Sequence, residues 1–194
     1  MRYRQLGSTG LRVSTVGLGT NNFGFRMDEE SSLRVARFAV DQGINFFDTA
    51  NMYGRGLSED RIGKALKGIR KGVIIGTKVG MAMGEGTNDT GASRYHIMQQ
   101  VEDSLRLLQT DYIDLYQVHW PDRPIDPFSG KLEYQHKNSD ASVGIEETLD
   151  TLNNLVKLGK VRHIGISNES AWGTNQYLKF AEQKKLARIV SIQN

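Results

Sequence analysis

Four side chains able to hold or move a proton stand at corresponding points along the sequence. Asp48 falls near the end of residues 44–49, Tyr53 follows five positions later, Lys78 lies near the end of residues 73–79, and His119 ends residues 112–119. Each of these runs is short and rich in β-branched or aromatic residues, the pattern of a buried strand. Parallel strands would deliver the four groups to one rim from separate strand ends. Together they suit proton donation. A phenol is a poor acid at neutral pH, but an ammonium beside it stabilises the phenolate. Lys78 could supply that charge, Asp48 could keep the ammonium charged and in place, and His119 could hydrogen-bond a substrate oxygen. Each residue also has a plainer reading: Asp48 as a turn cap, Lys78 as an ordinary ion-pair partner, Tyr53 as packing, His119 as a satisfied core histidine. It is their shared position at strand ends that favours chemistry.

The elements that must position them follow from periodicity. Strand-like runs recur at 12–19, 44–49, 73–79, 112–119, 161–167 and 189–193. Helical patterns lie between them. Ile145, Leu149, Leu152 and Val156 repeat at i, i+4, i+7 and i+11, and Ile97, Val101, Leu105 and Leu108 form a second stripe with Ser93 as its N-cap. Gly43 and Gly159 follow helical segments as left-handed caps do. Alternating strands and helices imply a parallel sheet, either an open doubly wound sheet or a (β/α) barrel. Residues 121–142 break the rhythm: they are polar, hold all three prolines and show no period, so they read as a long loop on the substrate side of a strand end.

Composition narrows the chemistry. The 194 residues suit one domain, 1–194, and 25 Lys plus Arg against 22 Asp plus Glu leave a charge of only +3, scattered along the chain. Nucleic-acid binding is therefore not expected. Without cysteine there is no thiol nucleophile, iron–sulfur cluster or zinc–thiolate site. His96, His136 and His163 read as surface or helix-facing residues, no pair has ligand spacing, and no metal is expected. The polar, charged N-terminus and the lack of any long apolar stretch argue against a signal peptide or membrane insertion, leaving a cytoplasmic location as the default. Gly17, Gly19 and Gly24 mimic a dinucleotide fingerprint, but GLGTNNFG places the third glycine two positions late.

At the level of whole segments the chain resembles the aldo-keto reductases. The likeness rests on VSTVGLGT, INFFDTANMYGRGLSEDRIGKAL, VIIGTKVG, DYIDLYQVHWPD, LVKLGKVRHIGISN and IVSIQN, in family order. It is similar in particular to the family's bacterial NADP(H)-dependent oxidoreductases, which themselves resemble potassium-channel β subunits. The resemblance implies a TIM barrel, a catalytic tetrad at Asp48, Tyr53, Lys78 and His119, and NADPH-dependent reduction of a small aldehyde or ketone to an alcohol. It further implies cofactor contacts from Ser167, Asn168 and Gln193, with Thr20 beside them. Trp120, Asn21 and Met52 are candidates to line the substrate pocket. Read without the resemblance, Ser167 or Asn168 would cap a helix and Gln193 would be a strand-end polar residue.

A TIM barrel has eight strands and roughly 250 residues. This sequence supplies six, so the expected architecture is an incomplete barrel, about three-quarters of one, lacking strands seven and eight. The family's pyrophosphate and 2′-phosphate contacts lie in those strands and their loops. These residues are accordingly expected to be part of a longer protein. Unpaired sheet edges also give copies of the chain a route to associate. The contrasting expectations are a non-catalytic binding or regulatory subunit of the same fold, or a truncated pseudoenzyme, which turnover measurements separate from an enzyme.

Overall fold

The computed structural model describes residues 1–124 and 142–194. An antiparallel hairpin comes first, β1 (Tyr3–Gln5) with β2 (Arg12–Ser14), and β3 (Leu18–Gly19) opens the main sheet. Then follow α1 (Glu29–Asp41), β4 (Phe46–Asp48), α2 (Leu57–Ala65), β5 (Ile74–Val79), α3 (Arg94–Leu107), β6 (Ile113–Val118), α4 (Ile145–Lys157), β7 (Val161–Ser167), α5 (Ala171–Lys184) and β8 (Ile189–Gln193).

The six strands β3 to β8 are parallel and lie side by side in chain order. A doubly wound sheet would reverse its order at a switch point. This sheet never does; it curls into part of a barrel, with the helices packed in sequence along its outside. Gly24 is therefore no pyrophosphate glycine. Its φ is +81°, and a Cβ there would sit 2.4 Å from Leu57 Cβ, so it lets the β3–α1 loop rest against α2.

The stretch 12–19, read as one strand, is two. Asn45 splits it, since its Oδ1 accepts from Ser14 N at 2.7 Å and its Nδ2 donates to Arg12 O at 3.0 Å. Gly17 then turns beneath Phe46, where a Cβ would lie 2.9 Å from the ring. The helical readings agree with the structure. Ser93 caps α3 by accepting from His96 N, Leu149 and Leu152 are fully buried on α4, and Gly43 and Gly159 have φ of +82° and +74°.

Strand β6 is buried along its whole length and forms the middle of the core with Ile75, Val79, Ile164 and Ile166. Of the 121–142 loop only residues 121–124 and 142 are described; 125–141, with Pro127 and His136, lie outside the described residues. His96, expected at the surface or facing a helix, is buried on α3. No helix among the described residues is long and apolar enough to cross a membrane.

Candidate active site

The ends of β4, β5 and β6 bring the four residues together. Lys78 points inward from β5 and is 1% exposed. Its Nζ donates to Asp48 Oδ2 at 2.9 Å, to the Thr49 carbonyl at 2.9 Å and to Tyr53 Oη at 3.3 Å. Three partners satisfy the three donors of the buried ammonium. Tyr53 stands edge-on to His119, with ring centroids 5.6 Å apart and planes at 83°. The His119 backbone N–H donates to Val79 O at 2.8 Å, extending the β5–β6 ladder by one bond.

Backbone geometry sets the tyrosine in place. Gly54, Arg55 and Gly56 follow Tyr53 with φ of 59°, 52° and 91°, a left-handed stretch that turns the chain sharply into α2. For Arg55 that conformation costs about 1–2 kcal/mol, which surrounding structure must offset. Beneath Asp48, Thr20 donates through both its backbone N–H and its hydroxyl to Asp48 O, each at 3.0 Å. The Thr20 and Thr49 hydroxyls each meet Ser58 Oγ at 2.8 Å, and all three are fully buried. In this arrangement Thr20 braces the end of β4.

Burial, and secondarily the Lys78 ammonium, holds the His119 imidazole down to a pKa of about 4, with Asp48 partly opposing them. The ring is therefore neutral at pH 7 and offers one N–H. Its Nδ1 is buried without a hydrogen-bond partner among the described residues.

Ser167, Asn168 and Gln193 gather beside this group. Ser167 Oγ donates to Gln193 O at 2.8 Å, and Asn168 Nδ2 donates to His119 O at 2.9 Å and to Ser167 Oγ at 3.1 Å. Gln193 Nε2 donates to Asp48 Oδ2 at 3.1 Å, the same oxygen that receives Lys78. Neither Ser167 nor Asn168 caps the next helix. Ser170 does, accepting from Gly173 N. Two amide side chains with donors and acceptors at the sheet rim match the needs of a carboxamide, so this donor set fits the nicotinamide end of a dinucleotide. Asn21, Met52 and Trp120 lie in the loops after β3, β4 and β6 at the same end of the sheet, Asn21 exposed and the other two half-buried.

Two buried acids escape a reading by motif. Glu59 on α2 is fully buried and accepts from Thr77 Oγ1 at 2.6 Å. Burial raises its carboxyl from the usual range to about 7, against the lowering effect of the Thr77 and Ser104 hydroxyls. Its helical spacing to Ile62 and Leu66, both apolar, was the available signal. Glu169 is also buried and pairs with Arg123; no pattern in the sequence joins residues so far apart. Among the described residues no group of three His, Asp or Glu converges as a metal site.

The family model of the aldo/keto reductase family matches residues 15–194. "Protein tas" of Escherichia coli is 42% identical over 210 aligned residues, which cover 100% of this chain and 60% of that protein. A probable voltage-gated potassium channel subunit beta of Arabidopsis thaliana is 34% identical over 175 residues, covering 88% and 48%. The holo form of aldo-keto reductase AKR11C1 from Bacillus halodurans superposes with a TM-score of 0.77 at 38% identity, over 99% of this chain and 56% of that one. The chain thus spans about half to three-fifths of the length of these proteins, and its curled parallel sheet is part of a barrel of their (β/α)8 kind. With the match running from residue 15 to the last residue, the chain belongs to the aldo/keto reductase family.

Proposed function

We propose that the protein reduces aldehydes or ketones to alcohols with NADPH, Tyr53 giving the proton to the carbonyl oxygen. One observation carries this reading: a single buried ammonium, Lys78, touches both Asp48 and Tyr53 Oη. The bound cofactor supplies the hydride that the carbonyl carbon accepts. What the chain contributes is orientation and charge. As the proton leaves, negative charge develops on Tyr53 Oη, and Lys78 sits 3.3 Å away to stabilise it. Asp48 accepts from the ammonium at 2.9 Å and balances its charge in the buried site. Neutral His119, edge-on to Tyr53, can hydrogen-bond the substrate oxygen and fix its approach without competing as an acid. Ser167, Asn168 and Gln193 would hold the carboxamide end of the cofactor, while Trp120, Met52 and Asn21 would border the substrate. In NADP and NAD alike that end is the same, so the preference for NADP rests on the family likeness.

The test is Tyr53→Phe in the full-length polypeptide. Carbonyl reduction should fall by at least about a hundredfold, within the range of general-acid contributions, while NADPH affinity stays within twofold. Retained turnover within tenfold of the parent overturns the assignment of Tyr53. Absence of turnover in the parent, with cofactor binding intact, would favour a regulatory subunit.

A further inference from the structure

Arg123 and Glu169 meet above the sheet rim from two different loops. Arg123 follows His119 by four positions, and Glu169 follows Asn168 directly. The guanidinium donates to both carboxylate oxygens, Nη1 to Oε2 at 2.9 Å and Nη2 to Oε1. Glu169 Oε1 also accepts from Ser170 N at 2.6 Å, and Arg123 Nη2 reaches Ser170 Oγ at 3.1 Å. The side chains are 18% and 2% exposed. Helix α5 makes room for them with Gly173, where a Cβ would fall 2.2 Å from Glu169 Oε1 and 2.5 Å from Arg123 Nη2. The Trp172 ring lies 5.3 Å from the guanidinium carbon. Asn194 brackets the Glu169 backbone, its Oδ1 accepting from Glu169 N and its Nδ2 donating to Glu169 O, each at 3.1 Å.

Burying two charges brings a desolvation cost that even good geometry only roughly offsets, so such a pair is a poor source of stability. Its effect lies in the single arrangement it selects. Here that arrangement ties the segment carrying His119 to the segment carrying Ser167 and Asn168. Asn168 has φ of 53°, a left-handed conformation in which its side-chain amide donates to His119 O. A bidentate pair one residue further on holds that turn against the β6 loop.

We propose that Arg123 and Glu169 are positioning residues: their ion pair straps the β7–α5 turn to the β6 loop and so fixes the Asn168 amide relative to His119, setting the nicotinamide end of the cofactor against the carbonyl. This rests on the reductase reading above and deepens it. The strap touches none of the four tetrad side chains. It acts through Asn168.

The test uses Arg123→Met, Glu169→Gln and Arg123→Lys with two readouts. The first needs no cofactor: the NMR resonances of the Asn168 side-chain amide, recorded with a melting curve to establish the folded fraction. The second is kcat and KM in the full-length polypeptide. Arg123→Met and Glu169→Gln should shift the Asn168 amide and lower kcat per folded molecule at least fivefold, with KM for NADPH rising. Arg123→Lys, which keeps the charge, should recover most of that loss. Unmoved Asn168 resonances, or a kcat loss under fivefold, overturn the proposal, since a merely structural pair would lower melting temperature and leave folded molecules fully active. If Arg123→Met does not fold, Glu169→Gln alone decides, on the same readouts and the same fivefold threshold. Should Tyr53→Phe retain turnover, the reductase reading falls while the Asn168 resonances still judge the strap.

Discussion

Lys78 has no surplus hydrogen-bonding capacity, and that is why its substitution is informative. Its three donors go to Asp48, Thr49 O and Tyr53, so Lys78→Met removes the charge beside the phenol without filling the space with a new polar group. Turnover should drop by roughly a hundredfold, because the charge that stabilises the phenolate as its proton leaves is gone. An unchanged rate would separate Lys78 from Tyr53. Glu59 poses the opposite problem, a buried acid with too few partners, since its Oε2 has none among the described residues. Its carboxyl titrates near 7 when folded against 4.5 ordinarily. Because the folded value is the higher one, its contribution to stability is complete below about pH 4.5 and is lost as pH rises through 7. The loss is of order 3 kcal/mol by linkage. Glu59→Gln cannot ionise, so the difference in urea midpoint between pH 5 and pH 8 should shrink in the variant. An equal difference in both proteins would show that Glu59 carries no such burden. The convergence of Asp48, Tyr53, Lys78 and His119 was legible from sequence because polar residues at strand ends stand out against apolar runs. Glu59 and Glu169 were not, because burial of an acid on a helix or loop depends on neighbours brought in from elsewhere in the chain.

Among the elements, α2 shows how little of a helix's behaviour is its own. Gly63 lies mid-helix, where alanine is favoured by about 1 kcal/mol on propensity alone. Packing argues the other way. A Cβ at Gly63 would sit 2.5 Å from Leu107 O and 2.8 Å from Leu108 C, backbone atoms that cannot rotate aside. Gly63→Ala should therefore destabilise the protein by about 1–3 kcal/mol, the usual cost of overpacking, measured by urea unfolding. A stabilised variant would show that α2 and α3 can separate freely. The same contrast between local signal and packing explains which elements could be read. The strand bounds 161–167 and 189–193 coincide with β7 and β8, and the stripe from Ile145 to Val156 matches α4, because buried parallel strands and amphipathic helices write their periods into the sequence. The stretch 12–19 misled because its polarity changes little where the chain turns. The break depends on Asn45, some thirty residues away, capturing the backbone of Ser14 and Arg12. Likewise the short strand β1 is exposed at every residue and carries no burial pattern to read.

Across the whole molecule, the two halves of the proposed site sit on parts of the sheet that differ in support. Asp48, Lys78 and His119 belong to β4, β5 and the end of β6, each flanked on both sides by hydrogen-bonded neighbours. Ser167 and Gln193 belong to β7 and β8, and β8 pairs only with β7 among the described residues. Burial falls in the same direction, from a wholly buried β6 to a β8 whose last two residues, Ile192 and Gln193, are exposed. Amides freed by small local openings exchange faster than those released only by global unfolding. Hydrogen exchange of this chain should therefore be slowest in β5, β6 and β7, faster in β8 and in two-residue β3, and fastest in the exposed hairpin strand β1. Saturating NADPH should slow exchange at β8 and around Asn168, where the amides that would hold the cofactor lie, and should slow β6 as well, because a ligand bound only to the folded state raises the free energy of the global opening through which its amides exchange. Uniform protection from β3 to β8 without cofactor would overturn this gradient and show that the outer strands are as firmly held as the inner ones.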